Sequence, residues 1–207
     1  MTTDGLRDAA VLLYAGRTLP RCLTGLPVRS VGGPDGREQL DAAIETFARL
    51  VVVGGDTDLA AVLTRLLRAG RLDVEVGYAP NRWAARRARN GRPRRVPLIR
   101  DETGRVIVGG AQWLPAPGEP LHGEAVVDDT VLFDGAVAGV RIEPTTAMPG
   151  LRAGVVSARG RVRRWVAGRA AQLGTTGAVV VRDGVAGDRP VKRSTFYRHT
   201  EGWLLVR

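Results

Sequence analysis

The sequence predicts an α/β domain built on a parallel sheet, followed by a mostly antiparallel β-sandwich domain, with the division near residue 100. Up to that point short apolar runs alternate with segments whose apolar residues recur every three or four positions, and such alternation implies parallel strands covered by helices on both faces. Beyond it, runs rich in valine and aromatic residues are separated by Gly, Pro or Asp-Gly, the texture of antiparallel strands. A chain of 207 residues buries roughly 70% of its unfolded surface, enough for a domain over 1–100 and a second over 101–207.

Taken in order, Ala10 to Tyr14 is an apolar run ended by Gly16, and Pro27 to Val31 is a second, stopped by Gly32, Gly33 and Pro34. Both read as buried strands. Leu40, Ala43, Ile44 and Phe47 mark a helix over 37–49, Leu50 to Val53 a strand, and Leu59, Val62, Leu63, Leu66 and Leu67 one face of a helix that leaves at Gly70. Asp73 to Tyr78 supplies another strand and Asn81 to Arg89 a short basic helix. In the second half the expected strands are 105–108, 125–133, 136–142, 155–157, 178–182, 195–197 and 203–206, with a loop at Pro115 to Pro120. Trp113, Trp165 and Trp203 are expected in the core of this domain, and "RGRVRRW" (Arg159 to Trp165) as a strand with one solvated face.

Composition removes several function classes. Cys22 is the only cysteine, which excludes an internal disulfide and a zinc site of several thiolates. His122 and His199 are the only histidines, neither in a catalytic motif, so nucleophilic catalysis of the Ser-His-Asp kind finds little support. No apolar run approaches the roughly 20 residues that cross a bilayer. With Asp4 and Asp8 and no apolar stretch of signal-peptide type at the amino terminus, a cytoplasmic location is expected. The net charge of +10 comes almost wholly from arginine, Lys192 being the only lysine. A chain rich in Arg, Ala, Gly and Val reads like the product of a GC-rich genome, so codon usage and function are both open as sources of that excess; its physical consequence is attraction to polyanions.

The junction "LVVVGGDTDLAAVL" (Leu50 to Leu63) carries the chemistry. In an open parallel sheet, ligands bind beyond the carboxyl ends of the strands, where glycine turns let main-chain amides approach a phosphate at a helix amino terminus. Gly54 and Gly55 occupy that place, and Asp56 can hold a magnesium ion against nucleotide phosphates. Equally, the glycines make a tight strand-to-helix turn with Asp56 or Asp58 as the cap.

"VVVGGDTDLAAVL" resembles the Gly-Gly-Asp-Gly-Thr segment of the diacylglycerol kinase and NAD kinase superfamily, which also follows the third strand of an amino-terminal, Rossmann-like domain. "NRWAAR" (Asn81 to Arg86) is similar to the Asn-Asp-Phe-Ala-Arg segment of its lipid kinases, and the valine-rich end with Asp183 and Gly184 to their β-sandwich with its late Asp-Gly-Glu hairpin. The resemblance implies ATP and Mg2+ bound in a cleft between domains by Gly54, Gly55, Asp56 and Thr57, with Asn81, Arg82 and Arg86 supporting the phosphates. It further implies Asp56 as the magnesium ligand, and transfer of the γ-phosphoryl group to a lipid hydroxyl. Asp183 is then the base that accepts the hydroxyl proton, or simply the turn of a hairpin. This sequence departs from the pattern at Thr57 and Asp58, where Gly and Thr are expected, and at Val185 for Glu. Those departures leave open a non-catalytic relative that binds a nucleotide or an acidic partner.

The run "NRWAARRARNGRPRR" (Asn81 to Arg95) suits binding of phosphate, in ATP or in a nucleic-acid backbone, docking on an acidic bilayer surface, or a plain solvated helix and loop. A basic nucleic-acid-binding protein is thus a further alternative, although no recognition-helix, zinc-finger or aromatic RNA-binding signature accompanies the run. A peripheral membrane contact and a homodimer remain open.

Overall fold

In a computed structural model of the chain, residues 9–32, 35–116 and 118–207 are described. Two compact units form: one runs to Val96 and takes in Glu201–Arg207, the other is Pro97–Thr200.

The first unit is a six-stranded sheet with helices. Its elements are β1 (Ala9–Leu13), β2 (Val28–Ser30), α1 (Gly36–Thr46), β3 (Arg49–Val53), α2 (Asp56–Ala69), β4 (Glu75–Tyr78), α3 (Arg82–Asn90) and β5 (Pro93–Val96), joined by the carboxyl-terminal strand Trp203–Val206. The order across the sheet is β2-β1-β3-β4, then the carboxyl-terminal strand, then β5. All neighbours are parallel except β5, which pairs antiparallel to the carboxyl-terminal strand. The parallel sheet of the sequence reading is therefore present, with a strand from the far end of the chain inserted into it. The expectation that 203–206 belongs to the β domain is corrected: Trp203 is buried in the first sheet, and Leu204, Leu205 and Val206 stand beside Glu75, Val76 and Gly77. Sequence alone assigned that segment to its neighbours along the chain; hydrogen bonding to β4 assigns it otherwise.

Central strands are apolar on both faces, as a sheet covered on both sides requires. Val11, Val51 and Val53 pack with Ala85 and Ala88 of α3, so the alternating Leu12, Leu50 and Val52, equally buried, face the opposite side. Gly77 lets α3 approach closely, because a Cβ there would lie 2.3 Å from the Ala88 carbonyl oxygen. Two further corrections concern edges. β2 is half-exposed rather than buried, because it is the outermost strand. α1 stops at Thr46, with Phe47 extended and Arg49 already in β3.

The second unit contains β6 (Ile99–Asp101), β7 (Val106–Ile107), β8 (Ala111–Leu114), β9 (Leu121–Val127), β10 (Thr130–Val137), β11 (Val140–Pro144), β12 (Leu151–Val155), β13 (Val166–Gly168), β14 (Ala170–Arg182), β15 (Val185–Ala186) and β16 (Val191–Arg198). They form antiparallel ladders throughout. β14 is the organiser. Its first half pairs with β9 and β16 and its second half with β8, across an irregularity between Gly174 and Ala178, so one long strand passes from one layer of the sandwich to the other. Trp113 and Phe196 sit between the layers with ring centroids 6.0 Å apart, and the buried Trp113 indole N–H donates to Ser194 Oγ at 3.0 Å. The expected strand over 159–165 is absent; that segment is a loop held by an isolated bridge between Val156 and Val162. Trp165 is half-buried there, stacked under the Arg152 guanidinium at 4.3 Å.

Candidate functional site

β1 lies between β2 and β3 because the chain crosses to β2 on one side of it and then to β3 on the other. In open parallel sheets ligands bind at such a reversal, beyond the carboxyl ends of the strands, and Gly54 and Gly55 stand at that place, after β3. Gly55 is the amino-terminal cap of α2, and its own N–H donates to Asp58 Oδ2 at 2.7 Å. Gly54 has to be a glycine here: a Cβ would sit 2.5 Å from that same Oδ2 and 2.8 Å from the Asp58 Cβ. Gly54 is thus explained first by the helix cap that Asp58 makes over it, whereas a Cβ at Gly55 would meet no atom nearer than 3.6 Å. Asp56 and Thr57 are the exposed first residues of α2.

Residues from neighbouring strand ends complete the corner. After β1, Tyr14 to Arg17 is a tight turn closed by Arg17 N–H donating to the Tyr14 carbonyl at 3.2 Å, with Gly16 at φ +74°, a value glycine adopts without strain. The turn brings the Arg17 guanidinium to 3.6 Å from the position a Gly55 Cβ would take. At the end of β4 the Tyr78 hydroxyl donates to Asp56 Oδ1 at 2.6 Å. Burial, followed by that bond and the charge of Asp56, raises the Tyr78 pKa far above the ordinary phenol value, against the pull of Arg17. Tyr14 is raised likewise, by burial first and the Asp58 charge second. Its hydroxyl is buried without a hydrogen-bond partner among the described residues.

Arg17, Tyr14 and Tyr78 were not singled out from the sequence. Each follows or ends an apolar strand of the parallel sheet, and that position was the available signal.

The remaining residues singled out from the sequence are placed as follows. Asn81 caps α3, its Oδ1 accepting from the N–H groups of Trp83 and Ala84 at 3.0 Å each. Arg82 lies over the Trp83 ring at 4.7 Å, and Arg86 is exposed. Among the described residues no hydrogen bond or ion pair ties Arg82 or Arg86 to the Gly54–Asp58 turn; the guanidinium that stands beside Gly55 is that of Arg17. Asp183 lies in the second unit, in the turn between β14 and β15 at φ +47°. Its carboxylate accepts from the main-chain N–H groups of Val108, Gly109 and Gly110 at 2.7 to 3.2 Å. That is the work of a residue that fixes a loop.

Among the described residues no group of three or more His, Cys, Asp or Glu side chains is arranged to hold a metal. A magnesium ion bound mostly by phosphate oxygens and water needs only one or two protein carboxylates, and the exposed Asp56 fits that requirement. No helix among the described residues is long and apolar enough to cross a membrane.

No protein-family model and no curated protein matches the sequence. Solved structures do match in fold. One is a "putative diacylglycerol kinase" from Bacillus anthracis strain Sterne, at TM-score 0.72 and 11% identity over 99% of this chain and 98% of the other. Another is an NAD kinase from Archaeoglobus fulgidus in complex with ATP, at TM-score 0.61 and 13% identity over 96% of this chain and 93% of the other. The resemblance found in the sequence motifs is thereby met at the level of architecture: this chain has the fold of the diacylglycerol kinase and NAD kinase superfamily.

Proposed function

We propose that the protein binds ATP with Mg2+ at the carboxyl ends of β1 and β3 and acts as a lipid-kinase-like phosphotransferase. The observation that carries the reading is Arg17 beside the Gly55 turn, at the amino terminus of α2 and at the reversal point of a parallel sheet. A guanidinium there supplies a charge-assisted contact to a phosphate, and the helix terminus favours an anion by about 0.3 to 1 kcal/mol. The ATP complex of the NAD kinase of the same fold agrees with a nucleotide as the ligand.

Two carboxylates stand at the same corner. Asp58 already occupies the Gly55 N–H, so an incoming phosphate meets negative charge that a cation must offset. Mg2+ held by Asp56 would supply that offset and draw charge from the phosphoryl oxygens. Arg17 would orient the phosphates and Tyr78 would hold Asp56 in place. In this reading Thr57, at the exposed start of α2, lies next to the phosphates, and Asn81 acts through the cap of α3.

A second reading, a relative that binds the nucleotide without turnover, is favoured by one specific observation. The Asp183 carboxylate is engaged by three main-chain donors, which leaves the role of base for the acceptor hydroxyl unassigned. Two measurements separate the readings. ATP with Mg2+ at 100 times its dissociation constant stabilises a protein by about 2.7 kcal/mol, so both readings expect a rise in melting temperature, and no rise at millimolar ATP removes both. Transfer of labelled γ-phosphate to extracted lipids is expected only from the kinase.

A further inference from the structure

The second unit contains a cavity of about 820 Å³, within the range of small-molecule sites. Its wall is apolar: Val131, Leu132 and Val137 come from β10, Val155 from β12 and Val166 from β13. Leu132, Val137, Val155 and Val166 are only partly buried and rest against the core of the sandwich, while Val131 is 57% exposed. Contiguous apolar surface left open in this way marks a binding site more often than a solvated face.

Part of the lining has a different chemistry. Arg163 and Arg164 contribute to it, together with Ser157 and a single acid, Glu119. Ser157, Arg163 and Arg164 belong to the loop between β12 and β13, where Arg159, Arg161, Arg163 and Arg164 occur with no acidic residue from Ser157 to Trp165. None of these four arginines forms an ion pair among the described residues.

The loop is held in place. Ser157 N–H donates to the Arg161 carbonyl at 2.9 Å and Gly160 N–H to the Ser157 carbonyl at 2.8 Å. At Gly154 a Cβ would lie 2.3 Å from the Arg164 carbonyl oxygen, so the main chain at Arg164 packs directly on β12. An apolar cavity whose lining also carries guanidinium groups without an ion-pair partner, on a main chain that is held in place, is complementary to a molecule with an apolar tail and an anionic head.

We propose that this cavity binds a single-chain anionic amphiphile of the fatty-carboxylate type, its tail against Val131, Leu132, Val137, Val155 and Val166 and its carboxylate on Arg163 and Arg164. The proposal rests on the second unit alone and does not depend on nucleotide binding in the first.

The test is calorimetric titration of the whole protein, without nucleotide, with octanoate, decanoate, dodecanoate and dodecanol below their micelle concentrations. Burial of each further methylene is expected to tighten binding about fourfold, and dodecanoate is expected to bind at least about tenfold tighter than dodecanol. Arg163→Glu with Arg164→Glu is expected to abolish the preference for the carboxylate while dodecanol binding persists. Ala136→Trp, which projects a ring from β10 into the cavity, is expected to abolish both, with melting temperature measured alongside. No binding of dodecanoate at millimolar concentration overturns the proposal. So does an affinity independent of chain length, or a carboxylate preference that survives the charge reversal. If the tryptophan variant does not fold, the arginine variant decides.

Discussion

Replacing Gly54 with alanine tests whether that position is glycine in order to admit Asp58. The new Cβ would meet Asp58 Oδ2 at 2.5 Å, its Cβ at 2.8 Å and its Cγ at 3.0 Å, all below contact distance. Either the strand end shifts or the Asp58 side chain rotates away and releases the Gly55 N–H it holds at 2.7 Å. Overpacking of this kind costs about 1 to 3 kcal/mol and loss of the cap about 0.5 to 2 kcal/mol. We expect Gly54→Ala to cost about 2 to 4 kcal/mol, or roughly 5 to 15 °C in melting temperature for a chain of this size. Asp58→Gly removes the three atoms nearest to the new methyl, at a cost of its own of about 1 to 2 kcal/mol for cap and helix propensity. In that background Gly54→Ala should cost markedly less, about 1 kcal/mol or below, because the three atoms nearest the new Cβ all belong to the Asp58 side chain and Gly54 does not have a positive φ. The coupling, about 2 to 3 kcal/mol, is read from urea unfolding of the four proteins by helical circular dichroism. That signal reports the first unit, since α1, α2 and α3 all lie in it. Costs that add to within about 0.5 kcal/mol would refute the argument that Asp58 dictates the glycine.

Arg17→Ala should weaken ATP–Mg binding by about 10- to 100-fold, the loss of a hydrogen bond to a charged group of about 1.5 to 3 kcal/mol, with unfolding little changed because Arg17 is exposed; thermal shift against nucleotide concentration measures it. Asp183→Ala should destabilise the second unit by about 1 to 3 kcal/mol or more, since it strands the N–H groups of Val108 to Gly110. Asp183→Asn should cost less, and neither should alter the ATP-dependent rise in melting temperature; loss of that rise alone would restore Asp183 to the site. Tyr78 and Tyr14 both ionise less readily in the folded chain than a free phenol, so their contribution to stability is complete below about pH 10 and is lost as pH rises beyond it. Urea midpoints across that range should fall less steeply for Tyr14→Phe with Tyr78→Phe than for the parent protein.

Much of the parallel sheet was legible because its strands are continuous apolar runs and its helices keep a regular apolar spacing. The harder segments depart from both patterns. Pro93–Val96 reads as a basic loop and becomes a strand only because the carboxyl-terminal strand offers it hydrogen bonds. β14 was legible from Ala178 onward, while its first half, interrupted by Gly174, Thr175 and Gly177, gains its strand conformation from β9 and β16 on either side. Trp203 looks like the rest of the valine- and aromatic-rich half, and nothing local distinguishes the sheet it joins.

By itself the sequence determined the strand–glycine–helix junction at 50–63, because that depends on hydrophobic spacing and on glycine within a few residues of chain. Tertiary structure decided which groups meet there. Arg17 and Tyr78 reach the junction from β1 and β4, with 22 residues separating Tyr78 from Asp56, and Asp183 finds its three donors more than 70 residues away. Contacts over such separations follow from the order of strands in a sheet, which no local pattern encodes.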